Sequence, residues 1–249
     1  YWYLMKQRFT VAACQLFDVQ DDLERSLDEI MDYATHASEQ GAALVCFPEC
    51  YLQGYVVDER QARRRAIDLA SVQFAEILKK LKSLRPTLVI GMIEKAGESL
   101  HITAVVVKQG ALLGHYRKNR LAAGEQLFAP GTETPIFEVD GLRFGINICY
   151  DLQQSERAAA VANQGASLVV CPCYNLLMMQ QPPRSTHLPY TTPAELKRET
   201  GLWLLSSDVT GERDGQISYG PTAVIDPGGE VVAQVPLMEE GLLLQEISV

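Results

Sequence analysis

Apolar runs of strand length, separated by helical stretches and glycine-containing turns, recur from residue 9 to residue 235, and this alternation confines the chain to the α/β class. The runs lie at 9–14, 42–47, 88–93, 102–107, 111–116, 135–139, 144–148, 167–171, 202–206, 222–225 and 231–235. In 144–148, Phe144, Ile146 and Ile148 alternate with Gly145 and Asn147, the period of a strand. Asp140-Gly141 separates that run from 135–139 and marks a hairpin. Gln109-Gly110 and Asp226-Pro227-Gly228-Gly229 mark two further turns. Leu23, Leu27, Ile30, Met31 and Ala34 fall at helical spacing, with Asp21 and Glu24 as a capping box at the start and Gly41 as the stop. Residues 59–84 read as one long helix or two, with Arg63, Arg64 and Arg65 on a solvated face and Pro86 as the breaker. A helix follows residue 149 as far as about Asn163, and a short one is expected at 194–200. The 120–135 segment is loop-rich, and 174–193 is a long, proline-rich irregular loop, a kind of segment that commonly serves function.

No linker, repeat or low-complexity segment divides the 249 residues, so a single domain over 5–249 is expected. Met5 reads as the natural start, with the first four residues left from cloning, and no apolar signal segment opens the chain. A net charge of −9 disfavours a nucleic-acid partner. No apolar run reaches the length of a membrane span. Six cysteines without a regular short-range framework, in a chain too large to need covalent staples, favour free thiols and a cytoplasmic location.

Three of the runs end on groups with chemistry. Glu49 follows 42–47, Lys118 follows 111–116, and Cys149 follows 144–148. In open α/β sheets ligands bind at the downstream strand ends. A thiol that leads into the next helix is also placed where a thiolate is stabilised. An isolated glutamate after a strand is usually a solvated loop acid, a lone lysine usually lies on the surface, and a lone cysteine is usually a small buried apolar group. The coincidence of an acid, an amine and a thiol at three strand ends, in that order, favours a site.

These residues stand in motifs that resemble the nitrilase superfamily of carbon–nitrogen hydrolases. The match comprises Phe47-Pro48-Glu49 with Gly54-Tyr55, then Tyr116-Arg117-Lys118, then Glu125 with Phe128, Pro130 and Gly131, then Asn147-Ile148-Cys149-Tyr150-Asp151. The resemblance implies a four-layer α-β-β-α sandwich of two mixed sheets. It also implies amide hydrolysis through a thioester, with Cys149 as nucleophile, Glu49 as general base, Lys118 and the Tyr150 N–H stabilising the tetrahedral oxygen, and Glu125 orienting Lys118 or the substrate. Tyr55, Tyr150 and Asn175 are candidate pocket residues, the first two better placed than the third. The expected partners are a small amide and water, with no cofactor and no metal, and the resemblance implies a homodimer or higher homo-oligomer. Tyr150-Asp151 after the cysteine and Gly54-Tyr55 after the glutamate resemble the amidase branch. Gln153-Gln154-Ser155-Glu156, Asn119-Arg120 and Arg198-Glu199-Thr200-Gly201 depart from the usual pattern and leave the substrate open.

Other readings compete. Hydrolysis of an N-carbamoyl amine or of a nitrile would use the same three residues. Cys46, Cys50, Cys171 and Cys173 could supply four thiolates, but their spacing differs from Cys-x-x-Cys knuckles. His36, His101, His115 and His187 are available for a Cys–His pair, but Cys149 carries no local signature of that class. A binding protein that keeps the fold without catalysis is the alternative of another kind.

Overall fold

The computed structural model describes residues 7–175, 177–178 and 200–249. The helix expected at 194–200, apart from Thr200, lies outside the described residues, as does most of the 174–193 loop together with His187.

β1 (Arg8–Phe17) is followed by α1 (Leu23–Glu39), β2 (Leu44–Cys46), α2 (Glu59–Arg65) and α3 (Val72–Lys80). β3 (Thr87–Ala96), β4 (Ser99–Lys108) and β5 (Ala111–Arg117) form an antiparallel meander. β6 (Ile136–Val139) and β7 (Leu142–Ile146) make the expected hairpin, with positive φ at both Asp140 and Gly141, the backbone that a two-residue hairpin loop demands. α4 (Ser155–Ala162), β8 (Leu168–Pro172) and a short β9 (Leu177–Met178) come next. The described chain ends with β10 (Trp203–Ser207), β11 (Val209–Arg213), β12 (Gln216–Ser218), β13 (Ala223–Ile225), β14 (Val231–Gln234) and β15 (Gly241–Ser248).

Among the described residues these strands form two mixed sheets. One runs β5-β4-β3-β2-β1-β11-β12-β9, with β15 also paired to β1, and the other runs β14-β13-β10-β8-β7-β6. The period-two pattern sorts the side chains of the first sheet. Phe9, Val11, Ala13, Leu44, Cys46, Val89, Ile93, Ile102, Ala104 and Val106 join one buried cluster with Phe144, Ile146, Leu168, Val170 and Leu204 of the second sheet. The intervening Ala12, Cys14, Val45, Leu88, Ile90, Val105 and Val107 face the other way, onto Leu27, Ile30 and Ala34 of α1 and Phe74 and Ile77 of α3. Ala158 and Val161 of α4 pack on the second sheet. The result is the four-layer α-β-β-α sandwich. No helix among the described residues is long and apolar enough to cross a membrane.

Two local expectations are corrected and one is resolved. The side chain that caps α1 is Asp22, which accepts from the Arg25 N–H, whereas Asp21 has a positive φ and pairs with Arg64. The 59–84 segment takes the second of its two expected forms, two helices, because Ile67 leaves α2 to pair with β3: its N–H donates to Ile93 O (3.1 Å) and its carbonyl accepts from Lys95 (3.0 Å). Arg65 is not solvated, since its side chain is 8% exposed and donates to Gln20 Oε1, Gln61 Oε1 and the Gln53 carbonyl.

Candidate active site

Glu49 stands in the turn that leaves β2. The turn lies so close against β3 that a Cβ on Gly91 would come within 2.2 Å of Pro48 O, 2.6 Å of Cys50 N and 2.8 Å of Glu49 Cα. Glycine at 91 is therefore what lets the acid sit over the sheet. The Glu49 N–H donates to Cys173 O (3.1 Å), which ties the turn to the end of β8 in the opposite sheet. Lys118 follows β5 directly. Its N–H donates to Ile102 O and its carbonyl accepts from Gly131, each at 2.8 Å. Glu125 is set by a tight turn, with its Oε2 accepting from the Ala122 N–H (2.7 Å).

The three side chains meet in the buried interior. Lys118 Nζ lies 2.8 Å from Glu49 Oε1 and 2.8 Å from Glu125 Oε1, and all three residues are 1–2% exposed. Tyr55 OH donates to the same Glu125 oxygen (2.8 Å). Glu49 Oε2 has no hydrogen-bond partner among the described residues. Burial pushes the Glu49 carboxyl well up, with the charge of Cys149 and Glu125 adding to it against the pull of Lys118. Burial alone would lower the Lys118 ammonium, but Glu49, Cys149 and Glu125 around it hold it well up, so it stays protonated.

Cys149 opens a 3₁₀ turn, Cys149–Gln153, with φ of 46°, in the left-handed region that non-glycine residues seldom occupy. The turn is pinned by Asp151, whose buried carboxylate collects four donors. Oδ1 accepts from the N–H groups of Asn119 (3.2 Å) and Arg120 (2.7 Å), and Oδ2 from Tyr116 OH (2.8 Å) and the Ile148 N–H (2.9 Å). One carboxylate thus binds the loop after Lys118 to the turn that carries Cys149. The first N–H groups of such a turn have no acceptor within it, which leaves the Tyr150 N–H as a candidate oxyanion donor. Cys149 Sγ is 3.7 Å from Asn175 Oδ1 and is hydrogen-bonded to Cys173, whose own thiol lies 3.4 Å from Cys171 Sγ.

The sequence-predicted residues divide accordingly. Glu49, Lys118 and Glu125 are in direct contact, and Cys149 is close enough for its charge to act on both Glu49 and Lys118. Tyr55 enters through Glu125 and stacks on Tyr174, with ring centroids 4.5 Å apart. Tyr150 is partly exposed, with the Arg120 guanidinium 5.3 Å from its ring centroid. Asn175, ranked last of the three pocket candidates, is the one whose side chain touches the thiol. Cys50 adjoins Glu49 but is fully buried, and burial holds its thiol well up. Among the described residues no group of three or more metal-binding side chains is placed to hold an ion.

Sequence reasoning passed over Asp208, Tyr174, Asp18 and Arg213. Tyr174 OH donates to Asp18 Oδ2 (2.5 Å), and Arg213 Nη1 donates to Asp18 Oδ2 (2.6 Å) and to Tyr55 O (3.1 Å). Asp208 is wholly buried beside Asn175. Asp208 follows the apolar run of β10 as Glu49 follows that of β2, so the signal that found Glu49 was present there too.

A family model described as carbon-nitrogen hydrolase matches residues 10–249. Over 250 residues the chain is 25% identical to a glutamine-dependent NAD(+) synthetase of Acinetobacter baylyi, covering 97% of this chain and 44% of that protein, so it spans under half of that relative. It is 27% identical over 263 residues to a chloroplastic omega-amidase of Arabidopsis thaliana, with 96% of this chain and 68% of the relative covered. Among solved structures it is similar to an amidase from Nesterenkonia sp. AN1, in a form with acrylamide added to its active-site cysteine, at a TM-score of 0.80 and 26% identity over 95% of this chain and 92% of that one. With the two-sheet sandwich and a family match that runs nearly end to end, the chain belongs to the carbon–nitrogen hydrolase family.

Proposed function

We propose that this protein hydrolyses the carbon–nitrogen bond of a small carboxamide, releasing ammonia through a thioester on Cys149. The observation that carries the reading is the Lys118 ammonium held between Glu49 and Glu125, with the second Glu49 oxygen without a hydrogen-bond partner among the described residues and Cys149 close enough for its charge to act on Glu49. Glu49 Oε2 takes the Cys149 proton as sulfur bonds to the amide carbon. The carbonyl electron pair moves onto oxygen, where Lys118 Nζ and the Tyr150 N–H stabilise it. The tetrahedral adduct collapses, the C–N bond breaks, and Glu49 returns the proton to the departing nitrogen. Water, deprotonated by the same carboxylate, then cleaves the thioester. Glu125 keeps the lysine in place, and Tyr55 keeps Glu125 in place. Similarity to an omega-amidase and an amidase supports an amide as substrate. Residues 5–249 act as one domain in this reading. The six cysteines, all buried and none of them disulfide-bonded among the described residues, support a reducing cytoplasmic location, and the family resemblance supports a homodimer or higher homo-oligomer.

Ammonia release across a panel of amides, nitriles and N-carbamoyl amines tests the reaction, with amides expected to be turned over. A slow amide quenched in acid is expected to leave the acyl mass on Cys149, and Cys149→Ala to release no ammonia. An adduct on Cys50, or activity in Cys149→Ala, would overturn the assignment.

A further inference from the structure

Asp208 is the single residue between β10, in one sheet, and β11, in the other. Its backbone is fixed on both sides: its N–H donates to Thr222 Oγ1 (2.9 Å) and its carbonyl accepts from Leu16 (3.4 Å). Among the described residues its carboxyl oxygens meet donors only. Oδ1 accepts from the N–H groups of Asn175 (3.1 Å) and Val209 (2.8 Å), and Oδ2 accepts from Asn175 Nδ2. Burial pushes this carboxyl well up, with the charge of Cys149 adding to it, against the pull of the donors from Asn175 and Val209. Among the described residues three donors converge on the carboxyl oxygens and no acceptor does, so both oxygens accept.

This arrangement removes the ambiguity of a side-chain amide. With its Nδ2 claimed by a carboxylate that can only accept, Asn175 must present Oδ1 to the other side, and there it lies 3.7 Å from Cys149 Sγ. The substituents of a carbon that has bonded to sulfur sit one bond beyond it, within reach of that oxygen. The carbonyl oxygen goes to Lys118 and the Tyr150 N–H, so the acceptor on the Asn175 side is left for the leaving group. A primary carboxamide offers two N–H donors there, while an ester oxygen or a nitrile nitrogen offers none.

Resting on the amide reading above, we propose that Asp208 is a positioning residue that locks Asn175 with its carbonyl oxygen toward Cys149, and that this oxygen accepts an N–H of the departing nitrogen, selecting primary carboxamides over esters and nitriles of the same acyl group. Asp208→Asn keeps the shape but brings an amide NH₂ among the donors, which turns Asn175 and points its Nδ2 at the thiol.

The test compares kcat/KM for a primary carboxamide and for the methyl ester of the same acid, in the full-length protein, with melting temperature as the check on folding. Asp208→Asn is expected to lower the amide-to-ester ratio about tenfold, the scale of one net hydrogen bond. Asn175→Ala, which removes the acceptor outright, is expected to lower it as much, and carries the test if Asp208→Asn does not fold. A loss that is equal for both substrates, in either folded variant, shows a structural role and overturns the proposal. Wild type that forms no acyl-Cys149 from either substrate sinks the amide reading and this inference together. Wild type that is acylated by both, with a variant ratio that does not move, sinks this inference alone.

Discussion

Lys118 is one cation between two buried carboxyl groups, so the acids of the cluster outnumber its base. The cost of that arrangement falls on Glu49, which burial holds above the usual carboxylate range. A general base works only when deprotonated, and a raised pKa moves the loss of base to higher pH. The acidic limb of kcat/KM is therefore expected well above pH 4.5, the ordinary value for the side chain. A pH–rate profile measures it, and a limb at the ordinary carboxylate value would contradict the role of Glu49. Lys118, held up by its neighbours, should contribute no basic limb near neutrality. At this scale much was legible in the sequence. Glu49, Lys118 and Cys149 each end an apolar run, and a sheet gathers such ends. Asp208 ends one as well, but a lone aspartate before Val-Thr-Gly reads as a turn residue, and its meaning comes only from Asn175, far away in sequence.

At the scale of elements, the position of Glu49 depends on a residue that touches no substrate. Gly91→Ala would drive a methyl group into the Pro48–Cys50 backbone. Overpacking against main chain costs about 1–3 kcal/mol, which corresponds to a fall in melting temperature of roughly 2–12 °C for a chain of this size. Because the displaced backbone carries Glu49, the base of the proposed reaction, kcat should fall with it. Thermal unfolding and steady-state kinetics measure the two effects, and a variant that melts and turns over as wild type would show that the turn is not held by this contact. Elements with strong period-two or helical patterns were legible: β1, α1, the β3–β5 meander and the β6–β7 hairpin stand where the pattern puts them. The cap of α1 fell one residue later than expected because Asp21 and Asp22 are chemically equal, and a tertiary partner, Arg64, takes the first. β11, β12 and β15 escaped notice for a different reason. Val-Thr-Gly-Glu-Arg and Gln-Ile-Ser are too polar to read as buried strand, and β15 is mostly half-buried, so its pairing with β1 rather than its own composition makes it a strand.

Across the whole molecule, the reaction proposed above takes its positive charge from Lys118, which the chain itself holds against Glu49. Turnover is therefore expected to survive exhaustive dialysis against a strong chelator, and activity restored only by zinc would revive the four-thiol reading of Cys46, Cys50, Cys171 and Cys173. The same global view bears on how the molecule comes to exist. β1 lines up against β15 from Arg8–Ser248 to Gln15–Gly241, and Gln7 and Val249 exchange both backbone hydrogen bonds at 3.0 Å. Nearly the entire described chain must be synthesised before β1 meets that neighbour. Closing so long a loop is entropically slow. During that interval β1 presents an unpaired edge beside the buried Val11 and Ala13, a template for contact with other chains. Yield on refolding should thus fall as protein concentration rises, an aggregation hazard set by strand order rather than by the stability of the finished sandwich.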